Sequence, residues 1–544
     1  MTEENQDIGL KLDSRTLLRI VQVIAVLVLI VLSLVILASS MVKPVVDAEQ
    51  ASCTAGVLLT KGKMIYKDFA HATQMPYHPF FCAAIFKASN TTHYLLAARV
   101  LTVVCDILIA ICIIGIFTRV FASFPITGWL LGLAMAVLYV FNQHVDGANG
   151  FALSQDFVIL CISLSLWLFI SIESKRRWKY LRIGAMGALL TLASCMRFSA
   201  VFIQLLFFVM LLIKGGESGK ERFKNALAFL IASVVILVLP IWTAVQAPQA
   251  FSINVFEMPM LRRQLVHKYQ LMIGATLYGK LAQILACLIE PLGMFPFLIA
   301  ICLVVFTVLG RRKLDMSNLR NAVLAVLVPV IFLIIAVCDP EVLYENFAIL
   351  IPFIVISFAY PLLYLRMTGI SVPPYIFRIV SIVVIACTFS AIASQPFLLL
   401  RLSRILRPQS WVPVRLHKIS KDIAQKTKEP ELVVTLAPLY ALEGGCNIYT
   451  ELSAGWYGCK LASVMSASKR EATNTLNGDT FKELLKKTPP SAVVIKRIPK
   501  FAIGLVLLRI AKTEWPEQDY DESMWERKEY PFEDDPNLVA YFRL

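Results

Sequence analysis

The chain has 544 residues, 58% of them hydrophobic and only 16% charged, a balance too apolar for an ordinary soluble protein. Its formal net charge is +15, but many of the Lys and Arg residues sit in short stretches between apolar runs, which argues against nucleic acid as the partner. No GxxxxGK[ST] phosphate loop and no GxSxG elbow is present, so ATP-driven transport and hydrolase chemistry of that type have no motif to stand on.

In chain order, the first apolar run, Leu18 to Ala38, is too long for a signal-peptide core and reads as a retained anchor. Further spans are expected at 94–117, 127–141, 151–172, 181–195, 198–213, 226–246, 288–309, 322–338, 347–365 and 376–397, about 11 transmembrane helices in all. The run 181–213 is too long for one crossing and is broken at Ser194-Cys195-Met196-Arg197-Phe198-Ser199, so it reads as a hairpin. With this count the basic clusters at Lys11–Arg19, Lys175–Arg182, Lys214–Lys224, Arg311–Arg320 and Arg366–Arg378 all fall on the side of the N-terminus. The expected organisation is a cytoplasmic segment 1–17, a transmembrane domain 18–397 with an outer loop 40–93, and an outer domain 398–544. In that last part Leu432–Leu436, Ala492–Lys496 and Leu538–Leu544 read as strands and Phe481–Lys487 as a helix, a small α/β unit.

The loop after the first span carries the densest chemistry. Asp47 and Glu49 stand just beyond the span, at headgroup depth, and an extended backbone would turn both to one side. Solvated carboxylates at a loop start are the plain reading; the functional one makes Asp47 a general base and Glu49 a helper or metal ligand. Asp156, at the start of a later span, is either a helix-start partner or a second active-site acid holding acceptor or cation. His78 is structural, a substrate contact or a metal ligand, with His71 and His144 as weaker candidates. A divalent metal held by Glu49, Asp156 and His78 is thus one candidate cofactor.

Arg197 lies at membrane depth, where an ionisable group faces a cavity or a partner, here a lipid phosphate or a site acid. Arg262 and Arg263, in an amphipathic stretch with Glu257, His267 and Lys268, either snorkel to headgroups or line the substrate path. Glu345 and Asn346 precede a span and face the same outer side. Of the 12 cysteines, most lie inside apolar runs, while Cys446 and Cys459 fall outside and form a disulfide if that compartment is oxidising.

Together these residues resemble the GT-C superfamily of polytopic glycosyltransferases, notably its bacterial dolichyl-phosphate-mannose-mannosyltransferase-like and aminoarabinose-transferase-like members. The resemblance rests on Asp47-Ala48-Glu49, the run Gly62-Lys63-Met64-Ile65-Tyr66-Lys67-Asp68-Phe69, Pro76-Tyr77-His78-Pro79, Gly184 and Gly187 followed by Arg197, and Glu345-Asn346-Phe347 through Pro352, where the family's Arg is missing. It implies a polyprenyl-phosphate-linked sugar as donor and transfer on the outer face to a lipid, glycan or protein acceptor. It matches Asp47 to the catalytic base and Asp156 to a second acid, and puts Lys63 and Tyr66 among the substrate contacts. The implied setting is the bacterial inner membrane, with the N-terminus in and the C-terminal domain out. A transporter or flippase of lipid-linked sugars is the alternative, and it predicts inverted halves that the sequence does not display.

Overall fold

The computed structural model describes residues 14–72, 75–172, 178–214, 218–261, 264, 278–282, 316–338, 344–367, 374–496, 525–530 and 538–543. The expected span 288–309 and the residues Arg262 and Arg263 lie outside these, as does the side chain of Glu345.

The helical part begins with α1 (Ser14–Val42), which stops where Pro44 disfavours the helical conformation for Lys43. Then come α2 (Asp47–Thr60), α3 (Tyr77–Ser89), α4 (Tyr94–Val120), α5 (Pro125–Val140), the short α6 (Gln143–Ala148) and α7 (Gln155–Ile170). The expected hairpin appears as α8 (Lys179–Met196) and α9 (Val201–Lys214), separated at Arg197 by one 3-10 turn. α10 (Gly219–Gln246) and α11 (Pro248–Ser252) follow, then α12 (Met316–Cys338), α13 (Tyr344–Ser357), α14 (Ala359–Met367) and α15 (Pro374–Ser394).

Six of the described helical stretches are long and apolar enough to cross a membrane, and α5, α7 and the stretch Phe198–Ile213 are shorter apolar helices. The expected span 347–365 is one of the six long stretches, Asn346–Met367, in which a single turn residue divides α13 from α14. They part at Phe358, one turn before Pro361, whose missing N–H leaves the carbonyl a turn earlier without its helical donor. α8 and α10 pack tightly at Gly187, where a Cβ would stand 2.3 Å from the Phe229 carbonyl oxygen.

Beyond the last long helix, α16 (Pro396–Leu400) and α17 (Val412–Lys426) lead into a five-stranded sheet. Its strands are β1 (Leu432–Thr435), β2 (Asn447–Ile448), β3 (Ala492–Lys496), β4 (Trp525–Tyr530) and β5 (Leu538–Arg543), in the order β2-β1-β3-β5-β4. β1 pairs in parallel with β2 and β3, so the chain crosses over between β1 and β3 through α18 (Leu439–Leu442), α19 (Gly455–Ala462), α20 (Ala467–Ala472) and α21 (Gly478–Lys487). β5 is antiparallel to both neighbours, with Val494 opposite Ala540. β4, absent from the sequence reading, is a charged edge strand pinned to α17 by Lys426–Glu526 and Lys528–Asp422 pairs.

Two apolar cores bear on the site. One fills the helical bundle from Leu32 through Leu398. The second joins Val45, Cys53, Val57, Cys82, Phe86 and Leu95 to Leu416, Leu439, Val494 and Phe542, so the loop helices and the sheet share one apolar interior.

Candidate active site

The loop after α1 folds as a helix, so the extended backbone that would turn Asp47 and Glu49 to one side does not form. On a helix, positions two apart point to different sides. Asp47 is exposed in the first turn of α2, where the helix dipole favours a carboxylate, while Glu49 is fully buried.

Glu49 faces Arg99 of α4. Nε of Arg99 donates to Glu49 Oε1 and Nη2 to Oε2, both at 2.8 Å, a bidentate pair with no exposed surface on either side chain. The Ala152 amide donates to Oε1 at 2.8 Å. The remaining guanidinium protons reach the carbonyls of Ser40 (2.7 Å), Lys43 (2.9 Å) and Pro44 (3.2 Å). One arginine thus fastens the end of α1, the turn into α2 and the first turn of α2 to α4. Sequence reading passed over Arg99 because it sits inside an apolar run; its signal was that position, a lone guanidinium near the end of a membrane helix.

A second polar cluster lies beside it, around a small cavity of about 30 Å³ lined by Ser39, Ser40, Lys43, Asp106, Tyr139, Asp146 and Asn149. That is room for a water molecule among polar groups. The Asn142 side chain caps α6, and Gly150 turns at φ +82° with Ser40 close against it. The turn places Asp146 against Arg401 (2.9 Å), Ser39 (2.5 Å) and Lys43 (3.5 Å). Burial alone would raise the Asp146 carboxyl, but Lys43, Ser39 and Arg401 outweigh it and hold the group below its ordinary value. Burial pushes the Lys43 amine down from its ordinary value, more than Asp146 restores. Inside the bundle, Asp106 accepts from Tyr139 and from Asn149, each at 3.0 Å.

The other sequence-predicted residues separate. Asp156 is buried in the first turn of α7 and accepts from the Gly150 amide at 3.2 Å, which ties it to the Lys43 cluster rather than to Asp47. His78 is buried on α3, 3.9 Å from Cys82 Sγ and edge-on to Phe157, and burial beside His71 lowers its pKa to about 3. Tyr66 is buried against Phe251 with φ +67°, and Lys63 is exposed on the turn before it. Arg197 ends α8 and donates to Asn346.

Glu49, Asp156 and His78 do not form a metal site: the first is committed to Arg99, the second to Gly150, the third to Cys82 and Phe157. No group of three His, Cys, Asp or Glu is placed to hold a metal among the described residues. Cys446 and Cys459 are not bonded to each other: Cys446 packs in the core shared with α2 and Cys459 against a separate cluster on the sheet.

With this geometry in hand, comparison with known proteins decides the fold. The sequence model of the dolichyl-phosphate-mannose-protein mannosyltransferase family matches residues 70–243. The structure of ArnT from Cupriavidus metallidurans bound to undecaprenyl phosphate is similar over 96% of this chain and 97% of that one, at 14% identity and a TM-score of 0.55. The chain has the GT-C fold. The apo form of the same ArnT gives 14% identity, the same coverage and a TM-score of 0.56. The Archaeoglobus fulgidus oligosaccharyltransferase in complex with Zn and sulfate is similar over 86% of this chain and 68% of that one, at 12% identity and a TM-score of 0.49. No curated protein matches the sequence. The GT-C resemblance read from the loop motifs is borne out, the chain is an integral membrane protein, and the transporter alternative finds no support.

Proposed function

We propose that this GT-C chain is a glycosyltransferase that moves a sugar from a polyprenyl-phosphate donor to a glycan, lipid or protein acceptor on the outer face of the membrane. One observation carries the reading. Asp47 is a solvent-facing carboxylate at the first turn of a helix that starts at the end of a membrane span and is locked from behind by the buried Glu49–Arg99 pair. That is the combination a general base needs: an accessible oxygen on a fixed backbone. The family match over residues 70–243 and the fold shared with ArnT support the same reaction class.

In this reading Asp47 takes the proton of the acceptor hydroxyl as its oxygen attacks the anomeric carbon. The bond from that carbon to the phosphate oxygen breaks, the lipid phosphate leaves with the electron pair, and the configuration inverts. Lys63, Arg197, Arg262, Arg263 and Glu345 are the proposed substrate contacts, with the cations offsetting phosphate charge, while the fully buried Tyr66 acts by packing beneath the Lys63 turn. Glu49 acts through position, and Asp156 supports the cluster around Lys43. Basic clusters on the N-terminal side favour an inner-membrane protein with N-terminus in, the division 1–17, 18–397 and 398–544, and the C-terminal unit out.

The test is release of free polyprenyl phosphate from a panel of polyprenyl-phosphate sugars, followed by mass spectrometry on purified protein. Release with one donor, reduced about 10²-fold or more in folded Asp47→Asn, is expected. Full activity in that variant removes Asp47 from the role of base, and no release from any donor removes the transferase reading.

A further inference from the structure

The buried carboxylate Glu443 has no part in the chemistry above, yet it lies between the sheet and the site. It follows α18, is fully buried, and its Oε1 accepts the Leu95 amide at 2.7 Å. Leu95 is in the first turn of α4, whose amides have no partner within the helix. His93, the residue before α4, offers no side-chain cap. The cap therefore comes from a residue some 350 positions later in the chain.

The carboxylate is itself held in place. Its Oε2 lies 3.2 Å from His417 Nδ1 on α17, and the His417 ring stacks on His93 with centroids 3.6 Å apart. Cys53 on α2 has both Glu49 and Glu443 within electrostatic reach, with Arg99. From Leu95, one turn of α4 leads to Arg99, and Arg99 grips Glu49 beside Asp47.

We propose that Glu443 is a positioning residue of the site: reaching from the C-terminal layer and buttressed by His417 and His93, it fixes the first turn of α4, and through the Arg99–Glu49 pair it fixes α2 and Asp47. The activity arm of this proposal rests on the transferase reading; the structural arm does not.

The structural arm is read by hydrogen–deuterium exchange on the full-length protein in detergent. Glu443→Ala is expected to speed exchange about five- to tenfold in residues 94–99 and in residues 47–52, the loss of a helix cap felt at both ends of the chain of contacts, with α10 unchanged. Glu443→Gln, which keeps an oxygen for the Leu95 amide, restores most of the protection. Exchange that rises only at 94–99, or at neither segment, overturns the proposal. In the activity arm Glu443→Ala lowers kcat with little change in donor KM, and Glu443→Gln recovers it; a rise in KM at constant kcat counts against positioning of the base. Wild-type protein without turnover on any donor, but with the expected exchange pattern, sinks the transferase reading and leaves the positioning role standing.

Discussion

At the scale of single residues, the site depends on a charge pair that the sequence hides. Removing Arg99 leaves the Glu49 carboxylate buried with only the Ala152 amide, and breaking such a pair costs about 3–5 kcal/mol. Arg99→Ala is therefore expected to lower the melting temperature sharply, while Arg99→Lys, with a point charge in place of a fork, recovers only part of it. Asp47→Asn, by contrast, changes an exposed group and leaves the melt within about 0.5 kcal/mol of wild type. Thermal unfolding of the three variants in one detergent separates fixing the site from acting in it; equal melts for Arg99→Ala and wild type would refute the account. His78 adds a pH dependence with a definite sign. Its folded value near 3 lies below the ordinary 6.5 because burial, then His71, disfavour the charged ring. The unfolded chain takes up the proton first, so stability is whole above about pH 6.5 and declines as pH falls toward 3, by at most about 1.4 kcal/mol per unit. His78→Asn should flatten that decline in a pH series of melts. Asp47 was legible because it borders the end of an apolar run. Arg99, Lys43, Asp106 and Asp146 were not, because their meaning lies in partners 33 to 255 residues away, beyond any local pattern.

At the scale of elements, hydrophobic length located the helices well, and the failures have local causes. The turn at Phe358, inside a span that hydrophobic length places correctly, follows from Pro361. The stretch Asp47–Thr60 has helix-favouring Ala, Leu, Glu and Gln, and as a helix it does not meet the condition, an extended backbone, under which Asp47 and Glu49 would share one side. β4 shows no apolar alternation because it is an edge strand, half in water. The small residues on α8 have a firmer meaning in the structure than in the motif. Gly187 lets α10 lie against it, and a methyl there would meet the Phe229 carbonyl oxygen at 2.3 Å, backbone that moves only if the helices part. Gly187→Ala should destabilise by about 1–3 kcal/mol, and Gly184→Ala, whose added carbon would find its neighbours at an ordinary 3.7 Å, by far less. A comparison of their thermal midpoints tests the contact, and equal midpoints would mean that α8 and α10 do not pack as described.

At the scale of the whole molecule, the C-terminal layer is more than a tethered appendage. Its α/β character was readable from short apolar strands, but its attachment was not, since that depends on side chains from both halves. Lys61 reaches the Cys446 carbonyl and the Asn447 side chain, Ser453 donates to the Ala70 carbonyl, Asn474 to that of Asp68, and Lys496 to that of Val45. The surface pair Lys469–Glu257 adds little, at about 0–1 kcal/mol and less in salt. What dominates is the apolar interior common to Val57, Phe86 and Leu95 on one side and Leu416, Leu439 and Phe542 on the other. Each such side chain contributes about 1.5–3 kcal/mol when fully buried, without dependence on ionic strength. A protease site inserted in the exposed linker at Leu406 should therefore cut the chain without separating it. The two fragments are expected to elute together in size-exclusion chromatography at low salt and at 1 M salt alike. Separation at high salt alone would mean that ion pairs hold the layer, and separation at both would mean that the shared core does not form.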